Sequence, residues 1–155
     1  MRSGTLPTHQ IVGMGKAFEL AADSLSADSA RLEQLRGRFL GALAELEGVS
    51  LNGSLNNYLN GDDPSLRVPG IINLSFAGVD AETLMLGLRE LAVSSGSACT
   101  SATLEPSYVL RGIGLDDKQA HRSLRFSFGR YTSGEEVDFA AAHIIDVVSR
   151  LRSAR

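Results

Sequence analysis

Leu32, Leu35, Phe39, Leu43 and Leu46 recur at helical spacing along one face of the segment from Ser29 to Glu47, with arginine and glutamate opposite. This stripe constrains the fold more than any other stretch, because an apolar helix face must be buried against a second layer. At 155 residues, 43% of them apolar, roughly 70% of the unfolded surface can be buried, so one core suffices for the chain. The charged share of 21%, with 4 Pro and 16 Gly, is that of an ordinary globular domain rather than a disordered segment.

The second layer is a small sheet. Ile71 to Phe76 alternates as a half-buried strand, with Ile71, Asn73 and Ser75 on one face and Ile72, Leu74 and Phe76 on the other. Val49 to Leu51 and Leu124 to Phe128 read as further strands, and Ala92 to Ser94 as a short one. An opening helix is expected from the Thr5 to Pro7 region to about Ala22, with Thr5 as its cap and Pro7 in its first turn. Asp80 to Leu91, Tyr108 to Ile113 and Asp116 to His121 read as helices. A last helix runs from Ser133 to Leu151, opened by the capping-box pair Ser133 and Glu136; Asp116 and Gln119 share that spacing. The polar stretch from Asn52 to Pro69 reads as a long loop. The sum is a single α+β domain over 1–155, a small mainly antiparallel sheet covered by helices. Such a layout does not by itself specify a function.

A formal charge of −3 with arginines scattered among acids gives no electrostatic footprint for nucleic acid. No apolar run approaches the roughly 20 residues of a spanning helix, and Met1 to Gln10 has no signal-peptide core, so no membrane attachment is expected and the default address is the cytoplasm. The single cysteine excludes an internal disulfide. His9, His121 and His143 are too dispersed to suggest a metal site and read as surface residues.

That cysteine, Cys99, sits within Ser94 to Ala102, a run of small residues with no bulky anchor. A free cysteine is often a small buried hydrophobe. A Gly/Ser loop instead gives a thiol the reach that a nucleophile serving two partners needs. No Lys, Arg or His lies near it in sequence, so at the reference pKa only a few per cent would be thiolate near neutrality, and activation must come from elsewhere in space.

Ser94 to Ser101, followed by Glu105 to Arg111, resembles the active-site segment of the cysteine desulfurases of iron–sulfur cluster assembly, the NifS/IscS-like members of the class V aminotransferases. Arg2 to Pro7 and Leu124 to Arg130 resemble two further family segments in the family's order, so the resemblance spans nearly the whole chain. It implies the C-terminal, small domain of a fold-type I enzyme that uses pyridoxal phosphate and works as a homodimer. It implies that Cys99 takes sulfur from L-cysteine as a persulfide, leaving L-alanine, and that Arg125 holds the substrate carboxylate. A planar fork of donors fits a carboxylate bidentately, although by composition alone an arginine in a strand is more often solvated or ion-paired. Thr5 matches the residue that reaches the cofactor phosphate of the neighbouring subunit; capping its own helix is an equal alternative.

The family's cofactor lysine has no counterpart, since Lys16 and Lys118 both lie outside its sequence context, and the ring-stacking histidine and pyridine-pairing aspartate of the N-terminal domain are missing too. Met1 corresponds to a methionine inside the family's sequence, which is expected of an internal start, a split gene or a truncated sequence. The sequence stops at Arg155, soon after the last helix, where many family members carry a further tail that engages a scaffold protein, so scaffold docking is not expected of this stretch, and the loop from Gly53 to Pro69 reads as longer than in familiar members. The chain is therefore expected to be one part of a desulfurase, incomplete alone. The alternatives are a stand-alone persulfide carrier or a nonfunctional fragment.

Overall fold

In the computed structural model, which describes residues 4–53, 67–95 and 106–154, one helix carries the chain from Thr8 to Leu43 (α1). The two helices expected on either side of a break near Ser24 to Asp28 are thus continuous. The serines and aspartates there resemble a cap, but Ser24 and Asp28 are satisfied within or beside the helix. Ser24 Oγ donates to Leu20 O at 2.9 Å, a back-bond that helices tolerate, and Asp28 accepts from Arg130 Nε at 2.8 Å. The start also differs from expectation. Pro7 occupies the cap position, no side chain caps the helix, and Pro7 O accepts from Gln10 N and Ile11 N, so Thr5 does not perform that role.

At 1.5 Å per residue α1 is about 54 Å long, and its two halves have different surroundings. Leu35, Phe39 and Leu43 are buried, whereas Val12, Phe18 and Leu25 are exposed. The exposed residues Ile11, Phe18 and Leu25 continue by sevens into Leu32 and Phe39, so one seam runs the length of the helix.

Strands β1 (Val49–Leu51), β2 (Ile71–Phe76), β3 (Ser94–Ser95) and β4 (Ser123–Ser127) form one sheet in the order β1-β2-β4-β3. Every pairing in it is antiparallel. The boundaries of β1 and β2 are those expected; β4 begins one residue early, and the strand expected at 92–94 pairs only through Ser94–Ser95. Ile72 faces Phe126 and Leu74 faces Leu124 across the β2–β4 pair. This apolar face packs on the buried half of α1 and on α5 (Gly134–Ser153), which brings Val137, Ala141, Ile144, Val147 and Val148. The Phe39 ring sits 5.3 Å from both Phe126 and Phe128, tilted against the first and edge-on to the second, geometries that favour aromatic pairs.

Three short helices complete the fold: α2 (Ala81–Gly87), α3 (Tyr108–Gly112) and α4 (Asp117–Ala120). Asp80 caps α2 through Glu82 N and Thr83 N. This helix stops at Gly87 rather than at Leu91. A Cβ on Gly87 would lie 2.6 Å from Val147 Cγ1, so α2 meets α5 at a point only glycine fits, and Leu88 then leaves helical geometry. The Ser133–Glu136 capping box is present in both directions, and Asp116 caps α4 by accepting from Gln119 N at 2.7 Å. These elements make the expected α+β fold, with α1 and α5 covering the apolar face of a small antiparallel sheet.

Candidate functional site

The opposite face of the sheet is polar. The β2 alternation that buries Ile72 and Leu74 turns Asn73 and Ser75 the other way, and on β4 Ser123, Arg125 and Ser127 alternate likewise with Leu124 and Phe126. Asn73 is the cross-strand partner of Arg125 on one side, and Ser94 is its partner on the other. Three polar residues therefore stand in one row across β2, β4 and β3.

Arg125 is exposed. Its only side-chain hydrogen bond among the described residues is a long one, from Nη2 to Ser94 Oγ at 3.4 Å, and no described carboxylate lies within ion-pair distance of it. Most other arginines are engaged. Arg38 holds Asp138 through two bonds of 2.5 Å, Arg111 holds Asp117, Arg130 holds Asp28, and Arg152 donates to Ala77 O and Glu47 O. Those contacts leave electrostatic marks: the guanidinium of Arg38 holds Asp138 below the usual carboxylate range, as Arg111 does for Asp117 and Arg130 for Asp28. All three are structural pairs at the surface, that of Asp28 and Arg130 partly exposed and the other two exposed.

Beside the row lies a cluster of amides and hydroxyls. Asn52, which extends β1 by donating its N–H to Asn73 O, also donates its side-chain Nδ2 to Asn73 Oδ1 at 2.7 Å, Ser75 Oγ at 2.8 Å and Ser123 Oγ at 3.0 Å. Ser75 returns a bond to Asn52 Oδ1 at 3.0 Å, and Ser123 donates to Gln119 O at 2.7 Å. Sequence reading placed Asn73 and Ser75 on this face by alternation but gave them no role. It took Asn52 only for the start of the long polar loop.

Of the residues expected to form the site, Arg125 is where the strand assignment put it. Thr5 is exposed ahead of α1, and no hydrogen bond of its hydroxyl occurs among the described residues. Cys99 lies outside the described residues, as does most of the polar loop from Gly53 to Pro69; the strand β3 that ends at Ser95 is four residues before Cys99 in the chain. The histidines do not converge. His9 and His121 are exposed, but His143, expected at the surface, is half-buried and stacks on Phe139 with centroids 5.8 Å apart, its Nε2 shielded and unbonded. No group of three metal-binding side chains occurs among the described residues, and no described helix is long and apolar enough to cross a membrane.

These residues do not build a pyridoxal site by themselves. Lys16 Nζ is paired with Glu19 at 2.8 Å on exposed α1, and Lys118 is exposed on the four-residue α4. A cavity of about 510 Å³ lined by Phe39, Val93, Phe126, Phe128 and Phe139 with Glu90 opens on the apolar side of the sheet, away from Arg125, and holds no lysine.

The family model for aminotransferase class V matches residues 1–139. The cysteine desulfurase IscS of Methylococcus capsulatus is 53% identical over 152 residues, covering 98% of this chain and 36% of that protein. Its namesake from Aeromonas hydrophila is 53% identical over 98% of this chain and 35% of its own length. A solved NifS-like protein superposes with a TM-score of 0.74 at 27% identity, over 96% of this chain and 35% of the other. The chain thus spans about a third of the length of the relatives it matches.

Proposed function

Because the chain belongs to the class V aminotransferase family, we propose that it is the part of a cysteine desulfurase that receives sulfur from L-cysteine and grips the substrate carboxylate. The observation that carries this reading is Arg125, a guanidinium on an exposed polar row with no carboxylate partner among the described residues and one long bond, to Ser94. An arginine so placed has its forked donors free for an incoming carboxylate.

Ser94, its neighbour on β3, begins the segment that leads to Cys99. A four-residue tether reaches about 14 Å at full extension, enough for one thiol to serve a substrate and then a second protein. In the proposed reaction the Cys99 thiolate attacks the sulfur of L-cysteine. A sulfur–sulfur bond forms, the carbon–sulfur bond breaks with its electron pair left on the substrate carbon, and a proton taken up there completes L-alanine. Pyridoxal phosphate belongs to the complete enzyme, on a lysine outside this chain, and Thr5 is the residue proposed to reach its phosphate from the neighbouring subunit. Homodimerisation, delivery of sulfur to an iron–sulfur scaffold protein and a cytoplasmic location are parts of the same proposal.

The test is to join this chain to the cofactor-lysine-bearing portion of a relative such as the Methylococcus protein and supply L-cysteine. L-alanine should form, and intact mass should show one sulfur atom added at Cys99. Cys99→Ser should lose both. Sulfur accepted from a persulfide donor by the isolated chain, with no L-alanine from the joined one, would instead make it a stand-alone carrier.

A further inference from the structure

Arg125 is not the only unspent donor on its row. Asn73 lies directly opposite it in the β2–β4 register, where partner Cβ atoms are about 4.5–5.5 Å apart, and both side chains are on the polar face. The Asn73 carboxamide is held from one side: its Oδ1 accepts from Asn52 Nδ2 at 2.7 Å. Asn52 is itself fixed by Ser75, which donates to its Oδ1, and by Ser123. With the oxygen committed, the Asn73 NH₂ is turned away from Asn52, and it has no partner among the described residues. Next to it in the row stands Arg125, and then Ser94, whose hydroxyl accepts from Arg125 Nη2 at 3.4 Å.

An amide donor without a partner beside a guanidinium without a carboxylate, both among the described residues, disfavours cations and complements an acceptor that carries negative charge on two oxygens. We propose that Asn73 is a second ligand of the carboxylate that Arg125 grips, donating through Nδ2, and that Asn52 is the positioning residue that keeps this amide in its donating orientation. The inference rests on the assignment of a carboxylate to Arg125 and adds a specificity determinant to it. A monoanion with two acceptor oxygens satisfies both donors, whereas chloride cannot bridge them with the same geometry. Asn52 acts through Asn73 and does not touch the ligand.

The experiment uses the whole 155-residue chain, ¹⁵N-labelled, titrated with acetate and, at matched ionic strength, with chloride. The Asn73 Nδ2H₂ and Arg125 Nε–H resonances are expected to move together on one acetate isotherm and not with chloride. Asn73→Ala should weaken acetate binding read at Arg125 by about 2- to 10-fold, the worth of one hydrogen bond. Asn73→Asp, nearly isosteric, should abolish the response by placing an acceptor against the guanidinium. If Arg125 responds alone, with unchanged affinity in Asn73→Ala, the Asn73 ligand is overturned and the carboxylate role of Arg125 stands. If neither resonance responds to acetate, both are overturned. Should a variant fail to fold, the titration of the unaltered chain decides, because it follows both donors at once.

Discussion

Phe18 and Phe39 stand three heptads apart on the same seam of α1, yet Phe39 is completely buried while Phe18 is 71% exposed. A straight helix drifts about 20° per heptad against such a repeat, so over three heptads the two rings turn about 60° apart and still fall within one broad apolar face. What differs is the neighbour. The sheet and α5 cover the C-terminal half of the seam, and nothing among the described residues covers Ile11, Phe18 and Leu25.

Uncovered apolar surface of this kind promotes association. The isolated chain should show concentration-dependent self-association by sedimentation and bind a hydrophobic dye, and Phe18→Glu should reduce both without lowering the thermal midpoint of the core. A strictly monomeric, dye-silent chain would mean that the seam is covered in some other way.

Phe39→Ala should have the opposite profile. It empties a site against Phe126 and Phe128 and should cost about 3–5 kcal/mol, a large share of a typical domain's 5–15 kcal/mol. Urea denaturation checks it, and a loss below 1 kcal/mol would show that the aromatic cluster repacks.

The approach of α2 to α5 makes Gly87 a sensitive position. Gly87→Ala puts a methyl within 2.6 Å of Val147 Cγ1, and overpacking of this sort costs about 1–3 kcal/mol. Combining it with Val147→Ala should recover part of the loss, so the double-mutant cycle should be clearly non-additive. Additive effects would place the cost of Gly87→Ala elsewhere.

Arg125→Ala, in the chain joined to a lysine-bearing portion of a relative, should remove charge-assisted bonds worth about 1.5–3 kcal/mol, or one to two decades in kcat/KM for L-cysteine. Arg125→Lys should recover only part of this, since a point charge lacks the paired donors. Cofactor occupancy should be unchanged in both. Unaltered kinetics would remove the carboxylate role, and lost occupancy or a lost fold would make Arg125 structural.

The strands β1, β2 and β4 were legible in the sequence because strand patterning is a local signal, and in β2 its period-two alternation also put Asn73 and Ser75 on the face opposite Ile72 and Leu74. The continuity of α1 was not legible. Ser24 and Asp28 resemble a helix start until Arg130, 102 residues away from Asp28, is seen to occupy the carboxylate. Asn52 was opaque for the same reason, since its partner Ser123 lies 71 residues along the chain and only the strand order brings them together. His143 was misjudged because the Phe139 ring one turn earlier on α5 shields it.

The Asp28–Arg130 pair gives a pH signature. Arg130 lowers the Asp28 carboxyl below its ordinary value, so its contribution to stability is present above the unfolded Asp range near 3.9 and is lost as pH falls through the folded value. Asp28→Asn should therefore lower the thermal midpoint slightly at pH 6, as expected of a partly exposed pair, with the gap to the unaltered chain narrowing as the pH falls below the unfolded Asp range. A gap that persists or widens in acid would assign it to something other than the ion pair.

The contact between the first and last helices has a consequence for synthesis. Arg38 and Asp138, which join α1 to α5, are 100 residues apart, and Phe39 must wait for residues just as distant to be covered. At about 5–20 residues per second, a ribosome takes about 5–20 s to make that stretch. Throughout that interval the whole seam of α1, not only the half left bare in the finished domain, is open to whatever chaperone or neighbouring nascent chain reaches it first.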